Sequence, residues 1–373
     1  MKTALVHDWL NQKGGAEDVL EILTAMFPDA PLYTSIYWER KMPESWQQWD
    51  IRTSFIDRLP FAYKAAQLYL PIYPIAFDNF DFRGYDLVLS NKSGFCHGVI
   101  TEPETLHICY CLTPTRYVWR YPQYAERENL RPLIRNGLVP FLHYLRIWDR
   151  LAADRVDHFI AISEAVRRRI KKYYGRDSDI IYPPVDTERF CPVPQHEHED
   201  FYLFVGRLVP YRRLDLLIEA FNQLGKPLFI AGSGRDKPRL ESLSNRNISF
   251  LGYVPDEDLP GLMARCKAFI WPGEEDFGIA PIQAMAAGRP VIAYSAGGVL
   301  DTVIPGTGFL FKNQTVADMV EAIETFDTSK VDPDFIHRHA KRYDTSIFKE
   351  KLNRFIDQKL EEHKKNYQFG AKK

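Results

Sequence analysis

Three arginines stand within seven residues in Arg207-Leu208-Val209-Pro210-Tyr211-Arg212-Arg213, preceded by Gly206 and the apolar run Phe201-Tyr-Leu-Phe-Val205. Guanidinium groups pair bidentately with phosphate oxygens and keep their charge, so this spacing after a strand suits a diphosphate. A second segment, Pro272-Gly-Glu-Glu275-Asp-Phe277-Gly278-Ile279-Ala280-Pro-Ile-Gln283, also follows an apolar run and leads into a helical pattern. Its carboxylates can accept hydrogen bonds from sugar hydroxyls, and the amides of Gly278, Ile279 and Ala280 would point out of a helix N-terminus toward an anion. The same string also reads as an acidic loop that caps a helix. A third segment, Gly14-Gly15-Ala16-Glu17, opens a helical pattern just after the first strand. It is either a close backbone approach to an anionic ligand or a tight turn.

Other signals are weaker. Gly232-Ser-Gly234 follows a strand, but Lys237 occupies the third glycine position of a dinucleotide fingerprint. No phosphate loop ending in Gly-Lys-Ser/Thr is present. Asp177-Ser-Asp179, Asp256-Glu-Asp258 and Asp332-Pro-Asp334 resemble metal-binding strings but fall before a strand or at helix starts, where caps are the expected role. No metal is expected, which leaves arginines to neutralise phosphate charge.

The elements that must position these groups alternate along the chain. Thr3–His7, Asp86–Ser90, Leu106–Cys111, Asp157–Ile162 and Asp179–Tyr182 read as buried strands, with helical patterns between them. Pro183-Pro184 breaks the pattern, and 185–199 reads as a polar, proline-rich linker. A second series follows at Phe201–Val205, Pro227–Ala231, Ile248–Leu251, Ala268–Trp271, Pro290–Tyr294 and Gly308–Phe311. The expected fold class is therefore α/β, with two facing Rossmann-like doubly wound domains, residues 1–184 and 200–344, and a cleft between them. Residues 345–373 form a charged helix pattern expected to pack back on the first domain.

Composition narrows the function. The chain has 373 residues, 48 Lys plus Arg against 49 Asp plus Glu, and a formal net charge of −1, which gives no global case for nucleic-acid binding. Five scattered cysteines do not suggest a disulfide framework. No run of 18 apolar residues occurs, and His7 and Asp8 interrupt the apolar start that a secretory leader would need. A cytoplasmic protein is expected. Between Arg116 and Arg176, however, 14 Lys/Arg face 6 Asp/Glu, interleaved with aromatics. That stretch and the apolar Leu59–Pro74 segment suit the inner face of an anionic membrane, though core packing accounts for the same residues.

Together these pieces resemble a family 4 glycosyltransferase with the GT-B fold. The resemblance rests on the GGAE turn, Ser163 with the helix after it, Tyr182-Pro-Pro-Val-Asp186, the GRLVPYRRLDLLIEAF block and EEDFGIAPIQAMAAGRPVIAY. Thr113-Pro-Thr-Arg-Tyr117 is similar to a segment of mannosyltransferase-like members that build bacterial surface polysaccharides. The resemblance implies a metal-free, retaining transfer from a nucleotide sugar, with GDP-mannose or a UDP-sugar as donor and a saccharide or lipid-linked saccharide as acceptor. By that likeness Arg207 and Arg212 clamp the diphosphate, with Gly14, Gly15, Gly206, Arg213 and the Phe277–Ala280 segment around the donor. Glu275 binds donor-sugar hydroxyls and His97 stabilises charge at the reacting centre. Asp8, Glu17 and Arg116 fall on the acceptor side. The second acid of the family's E-x7-E motif is Gln283 here. Losing one charge-assisted ribose bond costs on the order of 1.5–3 kcal/mol, so a non-catalytic, sugar-nucleotide-binding paralogue is the alternative.

Overall fold

A computed structural model describes residues 1–122, 125 and 132–370. The chain forms two compact units, Met1–Tyr182 with Lys349–Lys373, and Pro183–Phe348.

The first unit is built on seven parallel strands in the order β3-β2-β1-β4-β5-β6-β7. They are β1 (Thr3–His7), β2 (Leu32–Thr34), β3 (Ile51–Thr53), β4 (Leu87–Lys92), β5 (Leu106–Cys111), β6 (His158–Ala161) and β7 (Ser178–Ile180). All residues of β1, β4 and β5 are buried, as expected of central strands covered by helices on both faces. Strands β2 and β3 are only three residues long and gave no alternating or continuous apolar run for a sequence reading to find. The helix Glu164–Tyr174 shows how local chemistry sets element ends. Ser163 caps it, accepting from the Val166 amide at 3.2 Å, and Gly175 ends it in the left-handed region at φ 67°.

The second unit repeats the plan with six parallel strands, ordered β10-β9-β8-β11-β12-β13. These are β8 (Tyr202–Val205), β9 (Leu228–Ala231), β10 (Ile248–Gly252), β11 (Ala268–Trp271), β12 (Val291–Tyr294) and β13 (Gly308–Phe311). In each sheet the strand order reverses once, between β1 and β4 and between β8 and β11, and α/β folds bind ligands outside the carboxyl ends of strands at that point. The 185–199 segment is not a free linker. Thr187 and Phe190 are buried, Val185 pairs with Asp344, and the Asp344 carboxylate accepts from the Thr187 hydroxyl at 2.6 Å. Composition marked the break in the pattern but not this packing.

Two histidines of the first core, His97 and His107, have no exposed surface. His107 on β5 has no exposed surface and lies 3.0 Å from the Ser90 hydroxyl, and burial pulls its pKa down to about 4. An unfolded histidine takes its proton near pH 6.5, so the unfolded chain binds more protons than the folded one between about pH 6.5 and 4. Stability should therefore fall as pH drops through that window, by about 3 kcal/mol from this group alone. Denaturant titrations of the wild type across that range should show the fall. In His107→Gln the slope should flatten, and an unchanged slope would contradict the assignment.

Candidate active site

The reversal point of the second sheet is framed by two loops, one leaving β8 at Gly206 and one leaving β11 at Pro272. They approach backbone to backbone. A side-chain carbon on Gly273 would stand 2.9 Å from the Arg212 carbonyl oxygen, so only glycine fits there.

Arg212 and Glu275 meet across this point as an ion pair between Nη1 and Oε2, each side chain about 85% buried. The guanidinium also lies over the buried Trp271 indole, 4.5 Å from the ring centre. Arg212 Nε is buried with no hydrogen-bond partner. A buried donor left unmet is costly, and here it lies beside a carboxylate at the place where such sheets take ligands. Glu275 is held from behind: its carbonyl accepts from the Gly298 amide at 2.8 Å, and its backbone bridges to Gly297. Gly297 is at φ 77°, and any side-chain carbon there would fall 1.9 Å from the Glu275 oxygen.

The other sequence-selected residues divide. Gly206 begins the β8 loop, and Arg207 beside it is exposed, donating to the Tyr211 hydroxyl at 3.1 Å. Gly278 starts the helix Ile279–Ala286 with its φ at 96°, and Ile279 and Ala280 form its half-buried first turn. Gln283 is half-buried one turn further on. Two expectations need correction. Arg213, placed with the donor by resemblance, turns away: its guanidinium is bidentate to Asp215 and reaches Gln314 Oε1 at 3.2 Å, so it braces the start of the helix Leu214–Leu224. The Phe277 ring is buried 5.8 Å from Tyr343, which leaves only its backbone on the loop side.

In the first unit the reversal point is filled by the protein itself. The fully buried Asp8 carboxylate accepts from the amides of Ser93, Gly94, Phe95 and Cys96 at 2.5–2.8 Å and from the Ser93 hydroxyl at 3.1 Å. Every acceptor position is taken, so Asp8 clamps the loop after β4 and does not face an acceptor. Glu17 is likewise turned inward, with Oε1 3.4 Å from His7 Nε2. Gly14 and Gly15 lie at the start of the helix Gly15–Met26, and Gly15 is exposed. Arg116 begins the short helical turn Arg116–Trp119 and is half-buried.

His97, expected at the reacting centre, has no exposed surface. Its Nε2 donates to the Asp149 carbonyl at 3.2 Å, its ring stacks on Tyr174, and Nδ1 has no partner. Burial, reinforced by the Lys92 charge, holds its pKa well below the ordinary value, so the imidazole is neutral. In this structure the histidine is packed between Trp148 and Tyr174 and presents no open surface. Around it runs a buried network that the sequence did not announce. Lys92 Nζ donates to the Thr113 carbonyl and the Thr115 hydroxyl, both at 3.2 Å, while Asp149 accepts from Thr115, Trp119 and Tyr174 at 2.6–2.8 Å. Burial is the largest single influence and would lower the Lys92 pKa, but Asp149 together with Cys111, Asp8 and Cys109 raises it on balance, and the lysine stays charged. This network holds the Thr113–Tyr117 segment from beneath.

Sequence reasoning also missed Trp271 and Gly297 at the second reversal point. The aromatic at the end of β11 and the Gly-Gly after β12 were the available signals. The basic stretch read from Arg116 to Arg176 lies partly outside the described residues. Several of its described cations are spent locally, as Arg167 and Arg168 are on Glu164. Among the described residues, no three His, Cys, Asp or Glu side chains gather to hold a metal ion.

Comparison with known proteins agrees with this fold. A family model described as Glycosyl transferases group 1 matches residues 186–367, and one described as Glycosyltransferase Family 4 matches 105–189. A GDP-mannose-dependent monoacylated alpha-(1-6)-phosphatidylinositol monomannoside mannosyltransferase of Corynebacterium glutamicum is 30% identical, over 47% of this chain and 54% of the relative. The D-rhamnosyltransferase WbpZ of Pseudomonas aeruginosa is 32% identical over 52% of each chain. The chain thus spans about half the length of the curated relatives it matches. The crystal structure of Anabaena HepE in complex with UDP superposes with a TM-score of 0.71 at 19% identity, covering 96% of this chain and all of that one. Two doubly wound parallel sheets, this fold likeness and two family models that together run from residue 105 to 367 show that the chain belongs to the family 4 glycosyltransferases of GT-B fold.

Proposed function

We propose that the protein is a retaining, metal-independent hexosyltransferase. It moves a hexose, with mannose from GDP-mannose as the first choice and a UDP-sugar as the second, to a saccharide or lipid-linked saccharide of the cell surface. The observation that carries this reading is the Arg212–Glu275 pair at the second reversal point, with its unmet guanidinium donor. The mannosyltransferase and rhamnosyltransferase relatives support the sugar class, and the UDP of the HepE complex keeps the base open.

In this mechanism Arg212 Nε donates to a diphosphate oxygen of the donor. The exposed Arg207 adds a second cation, and the amides that open the helix Ile279–Ala286 meet the remaining phosphate charge. Glu275, already fixed by Gly297 and Gly298, accepts hydrogen bonds from sugar hydroxyls. The C1–O bond to the diphosphate breaks as positive charge spreads over C1 and the ring oxygen. The acceptor hydroxyl attacks from the same face and gives its proton to the departing phosphate oxygen. The protein's contribution is orientation and a preformed field at the leaving group. Gln283 keeps one acceptor for the ribose in place of a carboxylate. If that change abolishes donor use, the chain is a binding paralogue, which would release no nucleoside diphosphate.

Peripheral attachment to an anionic membrane fits one helix. Val139–Ala152 buries Leu142 and Leu145 on one side and exposes Val139, Tyr144, Ile147 and Leu151 on another. No helix among the described residues is long and apolar enough to cross a membrane. Co-sedimentation with anionic vesicles at low salt is expected, and Ile147→Glu with Leu151→Glu should abolish it. A chain that stays in the supernatant at low salt would contradict attachment.

Arg207→Ala should lower release of nucleoside diphosphate from the preferred sugar nucleotide by about 100-fold or more, the usual cost of losing one donor to a developing anion. Turnover close to the wild type in that variant would overturn the clamp.

A further inference from the structure

A cavity of about 670 Å³ opens within the first unit, where β2 and β3 deliver the chain at their carboxyl ends. That size lies in the range of roughly 300–1,000 Å³ found for small-ligand sites. Its lining comes from three loops: Tyr37, Trp38 and Glu39 after β2, Asp57 after β3, and Phe61 and Tyr63 beyond. The loops are tied together, since Asp57 Oδ1 accepts from the Tyr37 amide at 2.8 Å.

Two kinds of surface face the space. Trp38 and Tyr63 stack at 5.7 Å between ring centres to form an aromatic wall, and the Phe61 ring is 73% exposed. Between them stand groups that donate and accept: the carboxylates of Asp57 and Glu39, the cations of Arg40 and Lys64, and the Tyr63 phenol. The Tyr37 hydroxyl is buried without a hydrogen-bond partner. Burial, then the nearby carboxylates, keeps both phenols protonated and able to donate.

Phe61 adds an independent sign. It is one of two non-glycine residues with positive φ among the described residues, at 59°, yet its ring is not packed in the core. Strain of this kind in a bulky residue persists where surrounding structure enforces it and concentrates at ligand sites.

We propose that this cavity binds a hexose residue of the saccharide acceptor, resting on the reading of the chain as a glycosyltransferase. A pyranose has an apolar C–H face for the aromatic rings and a rim of hydroxyls that both donate and accept. The two carboxylates and the two cations of Arg40 and Lys64 cancel, so the lining carries no net charge to select a phosphate, and an alkyl chain would strand all four charged groups. The site assigns Trp38, Asp57, Phe61 and Tyr63 to acceptor recognition. It also gives the Leu59–Pro74 segment a share in a polar cavity, where its composition alone suggested a membrane or the core.

The test is saturation-transfer NMR on the full chain with α-linked mannotriose and its gluco- and galacto- counterparts, alongside GDP and UDP. At least one trisaccharide should bind with a dissociation constant of about 1 mM. Phe61→Gly, which relieves the backbone while removing the ring, and Asp57→Asn should each weaken it by about tenfold, with nucleotide binding unchanged. If no trisaccharide binds, or neither variant changes the binding, the cavity assignment is overturned, whatever the nucleotides do. Trisaccharide binding that responds to the variants, without nucleotide binding, supports the cavity and counts against the transferase reading.

Discussion

The Arg212–Glu275 ion pair is the interaction on which the functional reading depends. A parallel sheet whose strand order reverses must part the loops on either side of the reversal, and something has to occupy the gap. In the second unit the gap holds a guanidinium between a carboxylate and an indole, with one N–H left over. A charged group this far buried would normally spend all its donors on the protein. The pair balances the charge of the arginine, and in the proposed function the remaining N–H is the group that meets an anion. The glycines at 273 and 297 permit this geometry, because a larger residue at 273 would push the β11 loop off the β8 loop and one at 297 would push the loop after β12 off Glu275.

The first unit solves the same topological problem in the opposite way. There the reversal point receives Asp8, whose carboxylate takes four backbone amides of the loop after β4. The anion at this end of the sheet is built into the chain, so that end is a rigid frame. The Lys92–Asp149 network then fixes the Thr113–Tyr117 segment on that frame, and His97 belongs to it as a neutral, buried ring. Residues that looked like chemistry in the first unit are therefore largely architecture. Its open chemistry lies at the outer strands β2 and β3, where loops part around a cavity.

Much of this was legible in the sequence where the signal is local. Strands of four or more buried residues, the glycine that opens the helix at 278 and the arginine-rich loop after β8 were all readable as patterns. What escaped depends on contacts far apart in the chain. Arg212 and Arg213 are indistinguishable as letters, and their division of labour is set by the left-handed backbone at Arg213 and by Asp215 and Gln314, the latter 101 residues away. His97 is buried by Trp148 and Tyr174, and Asp8 finds its partners some 85 residues on. The cavity after β2 and β3 is assembled from three loops around strands too short to show a period.

The central claim is that Arg212 holds a donor diphosphate without help from a metal. Thermal-shift titration of the wild type and Arg212→Ala with GDP, GMP and guanosine, and with the uridine and adenosine series, each with and without EDTA, tests it most directly. A ligand at 100 times its dissociation constant adds about 2.7 kcal/mol, which is readily seen. The account predicts that one nucleoside diphosphate stabilises the wild type well beyond its monophosphate, that EDTA changes nothing, and that Arg212→Ala erases the difference. Equal shifts from diphosphate and monophosphate, an EDTA-sensitive shift, or a diphosphate effect that survives in Arg212→Ala would contradict it.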